Sequence, residues 1–300
     1  MRSEAALLVD CRNDLGEMPL WCARTQTLFW IDVTAPGRVF YWGEARGSVD
    51  FYQFEDLVTG IARSAHGELL VVGSRDVFVF ERGSQSKRKI YTLPADQPDQ
   101  RFNDGGCDRA GRLWVGSMQN NFLEKVRASG SLEASGRIYA VSGDGSVRFF
   151  EAGLACPNAM CWSPDDATFY VADSVNGWFY AYDFDLADGQ IDNRREFCRF
   201  VDLGIPDGAA VDRQGYIWNA RWGAGAVVRI SPAGQIERIV KVPTTNPTAC
   251  CFGGSDMDTL YITTARYGLT PGQLADERFA GGIFAILTDV PGSEKAAFGS

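Results

Sequence analysis

Six segments of this chain share one shape, and that repetition narrows the possible folds more than any other feature. Each opens on a polar or Gly/Pro step, runs into a short extended stretch, turns through polar residues and leaves on an apolar, aromatic strand. They are GEMPLWCARTQTLFWIDV from Gly16, TGIARSAHGELLVVGSR from Thr59, NDGGCDRAGRLWVGSM from Asn103, PNAMCWSPDDATFYVADS from Pro157, PDGAAVDRQGYIWNARW from Pro206 and NPTACCFGGSDMDTLYITTAR from Asn246. The first strand residues after the turns are Leu28, Leu69, Leu113, Phe169, Ile217 and Leu260, spaced 41, 44, 56, 48 and 43 residues apart. That is the period of a four-stranded propeller blade, a unit too small to bury its own apolar face.

The expected fold is therefore all-β: a six-bladed β-propeller forming a single domain over residues 1–300. Outer strands fall between the repeats, at Asp76–Glu81, Gly136–Ser142, Trp178–Phe184, Ala226–Ser231 and Gly282–Leu287. One N-terminal strand, Ala5–Asp10, is left over. It is expected to pair beside Gly282–Leu287 in the last blade, closing the ring and leaving no open edge. Helical signals are confined to Gly272–Phe279 and to NFLEKVRA, inside a polar loop or lid at Gln119–Ser135. Gly is 33 of the 300 residues, against a usual ~7 %, which suits many short strands joined by tight turns.

The 29 basic and 38 acidic residues leave a net charge of −9. Nucleic acid and anionic membrane surfaces are disfavoured partners, since the phosphate-neutralising charge is missing. Closed edges favour a monomer. The eight cysteines form no CxxC and lie in or beside apolar runs, as expected of a reduced cytoplasmic protein with buried thiols. No run approaches a membrane span of about 20 apolar residues. The only histidine, His66, sits in the turn SAHGE, so a Ser/His/Asp triad lacks its base and a His-rich zinc site is excluded.

Equivalent positions in a ring converge on one axis. About ten residues before each marker stand Glu17, Thr59, Asn103, Asn158 and Asp207, with Asn246 or Thr248 in the sixth repeat. All are polar and lie at or next to the start of a first strand, the strand that lines a propeller's channel. Two carboxylates and two amides make an oxygen-only cluster without His or Cys, suited to Ca²⁺, Mg²⁺ or Mn²⁺. Taken singly, each is a turn residue; five at one phase of a repeat make a site. Hairpin parity returns Asp32, Arg75, Asn120, Asn121, Asp173, Arg221, Trp222 and Arg266 to the same mouth. Arg101, on the approach to Asn103, is the arginine best placed to bind there.

These motifs, LGEMPLW, RFNDGGCDRAGRLWVGSM, CPNAMCWSPD, IPDGAAVD and TACCFGG…TLYITTA, resemble the SMP-30/gluconolactonase (regucalcin-like) family over nearly the whole chain. The resemblance implies a six-bladed propeller and an enzyme hydrolysing sugar-acid lactones such as glucono-, xylono- or arabinonolactone. It implies one divalent metal ion (Ca, Mn, Mg, Zn or Fe) on Glu17, Asn158 and Asp207, with Arg101 and Asn103 binding substrate. Metal and Asp207 would activate water, and Asn103 with Arg101 would stabilise the oxyanion. One departure stands out: relatives of the animal type carry an acid shortly after the third repeat, where this chain has Gln119-Asn120-Asn121. Asn121 is thus expected to contact substrate as an amide. The rival readings are a non-catalytic calcium-binding regulatory or scaffold propeller, and an organophosphate or ester hydrolase on the same metal.

Overall fold

The structure is a computed structural model describing residues 3–43 and 47–299, the side chains of residues 151 and 152 excepted. After β1 (Ala6–Val9), the strands fall into six antiparallel sheets of four. The first holds β2 (Gly16–Cys22), β3 (Thr27–Asp32), β4 (Arg38–Gly43) and β5 (Val49–Gln53). The second holds β6 (Val58–Arg63), β7 (Leu69–Gly73), β8 (Asp76–Phe80) and β9 (Lys87–Thr92). The third holds β10 (Gln100–Cys107), β11 (Leu113–Gln119), β12 (Gly136–Val141) and β13 (Val147–Leu154). The fourth holds β14 (Pro157–Trp162), β15 (Thr168–Asp173), β16 (Trp178–Asp185) and β17 (Gln190–Arg199). The fifth holds β18 (Ile205–Val211), β19 (Ile217–Trp222), β20 (Ala226–Ile230) and β21 (Ile236–Lys241). The last holds β22 (Pro247–Gly253), β23 (Thr259–Thr264) and β24 (Ile283–Leu287).

β1 completes the last sheet by pairing with β24, Ala6 opposite Ala285 and Leu7 opposite Phe284. The chain is an all-β six-bladed propeller. Both expected helices are present and short: α1 (Glu124–Ser129), in the loop after β11, and α2 (Pro271–Asp276), opened by a capping box on Thr270. Among the described residues no helix is long and apolar enough to cross a membrane.

The chain divides into two compact units, Met1–Val58 with Phe197–Lys295, and Thr59–Glu196 with Ala296–Ser300. In the first unit Trp30 and Trp218 are fully buried, Trp30 stacking on Phe40 with centroids 5.4 Å apart. In the second, buried Trp114 stacks on Phe150 at 5.5 Å. Each indole withdraws roughly 150–250 Å² from water, a gross gain of about 4–6 kcal/mol. Six of the eight cysteines are buried and all eight are free thiols.

Candidate functional site

The first strand of a blade is bulged where the candidate residues stand. Register slips between Glu17 and Leu20, Phe102 and Gly105, Asn158 and Cys161, and Pro206 and Ala209. A bulge re-aims the side chain beside it. Behind Glu17 and Asn158 the backbone takes the left-handed region at non-glycine residues, φ 48° at Met18 and 56° at Ala159. Such strain persists where the surroundings enforce it, often at functional positions. Behind Asp207 the corresponding residue is Gly208, where a Cβ would lie 2.5 Å from that of Ala249.

In the second unit the structure brings four candidates together. Arg101 is almost wholly buried. Its Nε and Nη2 both donate to Asn121 Oδ1, at 2.9 and 2.8 Å, and its Nη1 donates to Asn103 Oδ1 at 2.8 Å and to the Phe102 carbonyl at 2.7 Å. The ring of Phe122 lies 5.4 Å from the guanidinium. Asn103 Nδ2 in turn donates to the Pro157 carbonyl at 3.0 Å. Next to it, Asp104 accepts from the Met160 amide at 3.1 Å. Together they stitch β10 to β14 and set Asn103 beside Asn158.

Asn158 is 8 % exposed, and its Nδ2 donates to Ser174 Oγ at 2.9 Å. An amide held by its nitrogen presents its oxygen on the other side, the orientation a cation ligand requires. The thiol of half-buried Cys156 lies 3.7 Å from Asn103 Nδ2 and 4.0 Å from Asn158 Nδ2. A thiol thus stands beside the two amides, although none of the candidate residues is a cysteine. Only its place two residues before Asn158 could have marked Cys156.

The other two candidates belong to the first unit. Glu17 is half-buried and accepts from its neighbour's amide, Met18 N, at 3.1 Å. Asp207 is 8 % exposed. Both stand beside β22: Thr248 Oγ1 donates to the carbonyl of Gly16, at 2.5 Å, and Gly208 packs on Ala249. The peptide of Asp207 is fixed by fully buried Asn219, whose Nδ2 donates to its carbonyl at 2.5 Å and to that of Gly208 at 3.2 Å. Behind Asn219 lies Arg221, also fully buried, donating to Asn219 Oδ1 at 3.1 Å. Sequence reasoning missed Asn219; its signal was a polar residue within the apolar strand IWNARW. Burial pulls the Arg221 guanidinium down to about 10, with the charges of Cys198 and Asp207 pulling it up.

The remaining polar positions make bonds within the fold. Thr59 Oγ1 donates to the Gly73 carbonyl at 3.1 Å, Thr248 serves Gly16, and Asn246 Nδ2 donates to the Tyr267 carbonyl at 3.0 Å. The two threonine hydroxyls are spent on the fold, while Asn246, like Asn158, is held by its nitrogen. The residues ending the second strands clamp lead-in loops: Asp32 accepts from Asp14 N and Leu15 N, and Asp173 from Ala155 N and Cys156 N. Arg75 donates to four carbonyls between Leu93 and Gln100, and Arg221 to those of Phe200, Leu203 and Gly204. A buried loop carbonyl without a donor is costly, so this position is filled by whichever side chain suits the loop. After β11, Gln119 Oε1 accepts from Glu133 N and Asn120 Oδ1 from Phe122 N. Of the three amides only Asn121 engages Arg101.

Comparison with known proteins shows relatives along most of the chain. The model of the SMP-30/Gluconolactonase/LRE-like region matches residues 15–266. Regucalcin of Oryctolagus cuniculus is 34 % identical, covering 95 % of this chain and 94 % of its own. A 6-deoxy-6-sulfogluconolactonase of Pseudomonas putida is 34 % identical, with the same coverage of 95 % and 94 %. The crystal structure of a calcium-binding protein, regucalcin, from Agrobacterium tumefaciens superposes with a TM-score of 0.90 at 25 % identity, covering 98 % of both chains.

Proposed function

The chain belongs to the SMP-30/gluconolactonase/LRE-like family, and from that premise we infer that it is a metal-dependent lactonase that opens a sugar-acid lactone to the free aldonic acid. One observation carries the reading. A buried arginine, Arg101, is held by the side-chain oxygens of Asn103 and Asn121, and Asn103 reaches on to the strand that bears Asn158. Structural arginines such as Arg75 spend their donors on main-chain carbonyls. Arg101 instead gives three donors to the side-chain oxygens of two amides, Asn103 and Asn121.

Glu17, Asn158 and Asp207 are the proposed ligands of one divalent cation. The donor set fits a hard ion: two carboxylates and an amide whose oxygen is turned away from its own hydrogen bonds. When bound, the cation supplies a Lewis acid for the lactone carbonyl and lowers the pKa of water.

The chain's own residues do the rest. Asp207, its peptide locked by Asn219, steers the attacking water and takes its proton on the carboxylate. Arg101 holds the lactone and its hydroxyls and offsets negative charge developing on the carbonyl oxygen. Asn103 has its oxygen on Arg101 and its nitrogen on Pro157, so it acts by positioning Arg101. The ring C–O bond breaks as the acyl C–O bond to water forms, and the leaving alkoxide is protonated to the new hydroxyl.

The test is turnover. The chain stripped with a chelator and reloaded with Ca²⁺, Mn²⁺, Mg²⁺, Zn²⁺ or Fe²⁺ should acidify solutions of pentono- or hexonolactones. No acidification with any metal overturns the lactonase reading. In that case the relatives named for calcium binding favour the second reading, a non-catalytic calcium-binding propeller, which calcium calorimetry would then test.

A further inference from the structure

A second polar cavity lies at the end of the third sheet opposite to Arg101. Arg101 stands near the start of β10, and the chain reverses between Cys107 and Leu113, which face each other across the turn. Arg112 belongs to that turn, and the β12–β13 turn, residues 142–146, lies at the same end. The β16–β17 turn of the fourth sheet, residues 186–189, comes up to them: Arg112 donates through Nη1 to the Ala187 carbonyl at 3.3 Å and through Nη2 to that of Leu186. Gly189 admits this guanidinium, since its backbone has φ 62° and a Cβ there would lie 2.6 Å from Arg112 Nη1. Between the turns is a cavity of about 330 Å³, lined by Arg112, Ser142, Arg148 and Asp188, with little apolar surface beyond Ala140 and Val147.

The charges around this cavity are not all matched. Arg112 is paired with Asp108 at 2.7 Å. Exposed Arg148 donates through Nη1 to the Asp188 carbonyl at 2.5 Å; among the described residues no carboxylate pairs with it, and its Nε and Nη2 have no acceptor. Asp188 is exposed as well, and no cation among the described residues pairs with its carboxylate. The Oγ of half-buried Ser142 makes no hydrogen bond to them. Unspent donors therefore outnumber acceptors, with one carboxylate at the rim. A neutral sugar would leave Arg148 without a counter-charge, and a bare anion would meet Asp188 with nothing to donate. A hydroxylated anion answers both.

We propose that this cavity binds a small hydroxylated oxyanion, a sugar acid or a sugar phosphate. Its carboxylate or phosphate lies on the Arg148 fork beside Arg112, and a hydroxyl donates to Asp188. Ser142 Oγ shares a hydrogen bond with another hydroxyl. A free amino acid would also match both charges, but it would leave the donors that suit hydroxyl oxygens unused. A ligand here ties together turns of two sheets, so it stabilises the folded chain. The site is separate from the mouth and does not depend on the lactonase reading.

Calorimetry on the whole chain tests it with gluconate, glucose 6-phosphate, glucose, inorganic phosphate and free glycine. At least one of the two sugar anions should bind more tightly than the other three probes by about tenfold or more, and the two arms tell acid from phosphate. Arg148→Met should weaken that anion by about tenfold or more, while Arg101→Met, at the opposite end, should leave its affinity unchanged. Asp188→Ala should shrink its advantage over inorganic phosphate. Arg148 and Asp188 are exposed, so without ligand both variants should melt at the wild-type temperature. The anion should raise the melting temperature of the wild type and not that of Arg148→Met. Glucose, inorganic phosphate or glycine binding as tightly as the sugar anions, or no binding of either anion, overturns the proposal. So does an affinity unmoved in Arg148→Met or lost in Arg101→Met.

Discussion

Two hairpins, β10–β11 and β18–β19, are built alike at one end and differently at the other. At the turn each has a buried aspartate six residues before a buried tryptophan. Asp108 Oδ2 accepts from Trp114 Nε1 at 2.8 Å, and Asp212 Oδ2 from Trp218 Nε1 at 2.9 Å. Each is paired with an arginine, Asp108 with Arg112 at 2.7 Å and Asp212 with Arg229 at 2.8 Å. At the other end each hairpin again holds a buried arginine, but on opposite strands and with different partners. Arg221 stands on the second strand and spends three bonds on loop carbonyls. Arg101 stands on the first strand and spends three bonds on Asn103 and Asn121. Equal burial therefore does not mean equal purpose. The partners differ: Arg221 serves mainly loop carbonyls, whereas Arg101, which we propose binds substrate, is seated on half-buried amide side chains.

The comparison breaks most visibly at the proposed ligands. Asp207→Ala and Glu17→Ala should each abolish stoichiometric metal binding by elemental analysis and cut kcat/KM at least a hundredfold, on the order of 3 kcal/mol or more of transition-state stabilisation. Metal retained in either variant would remove that residue from the site.

Next come the two arginines. Arg221→Met should cost about 3–5 kcal/mol in urea unfolding, because three loop carbonyls and Asn219 lose their donor in the core. Arg101→Met should cost clearly less stability, about 1–2 kcal/mol, while lowering kcat/KM about a hundredfold. Equal losses of stability would erase the distinction between them.

At the turns, Asp108→Ala and Asp212→Ala should be nearly alike, each costing about 2–4 kcal/mol from an unsatisfied indole and the loss of the carboxylate facing a buried or half-buried arginine. By contrast, the Arg109–Asp166 pair beside the first turn has its arginine half exposed. Arg109→Ala should change stability by no more than about 0.5 kcal/mol.

The free thiols sharpen the same contrast. Burial pushes Cys198, beside Arg221, up to about 12, and Cys250 and Cys251 likewise to about 12. At pH 8 these should resist iodoacetamide in the native protein and react in urea, whereas half-buried Cys156 should be labelled first. The sign for stability follows. Above the ordinary thiol value of 9.0 the unfolded chain loses these protons while the folded chain keeps them, so stability falls as pH rises from 9 towards 12. Cys198→Ala should flatten part of that fall in urea midpoints measured across this range.

Much of the protein was legible in its residues. The repeat period, the apolar alternation of strands such as LWVGSM and the Asp-to-Trp turns are local patterns, and local backbone geometry enforces them. The polar residues at one phase of the repeat follow from the same periodicity, so Glu17, Asn103, Asn158 and Asp207 could be named before any coordinates. What periodicity could not separate was purpose within that phase. Thr59 and Thr248 stand at it too, yet their hydroxyls bond main-chain carbonyls.

Only the tertiary structure decided where each amide oxygen faces, because an asparagine's orientation depends on partners brought from other strands: Ser174 for Asn158, and Arg101 for Asn121, twenty positions away. It also decided that Arg221 donates to loop carbonyls while Arg101 donates to the side-chain oxygens of Asn103 and Asn121. The chain alone determined the blades and the ring of polar positions, since those are sums of short-range preferences. The hydrogen-bond partners at those positions were decided by long-range packing, which chooses among partners that the sequence leaves equally available.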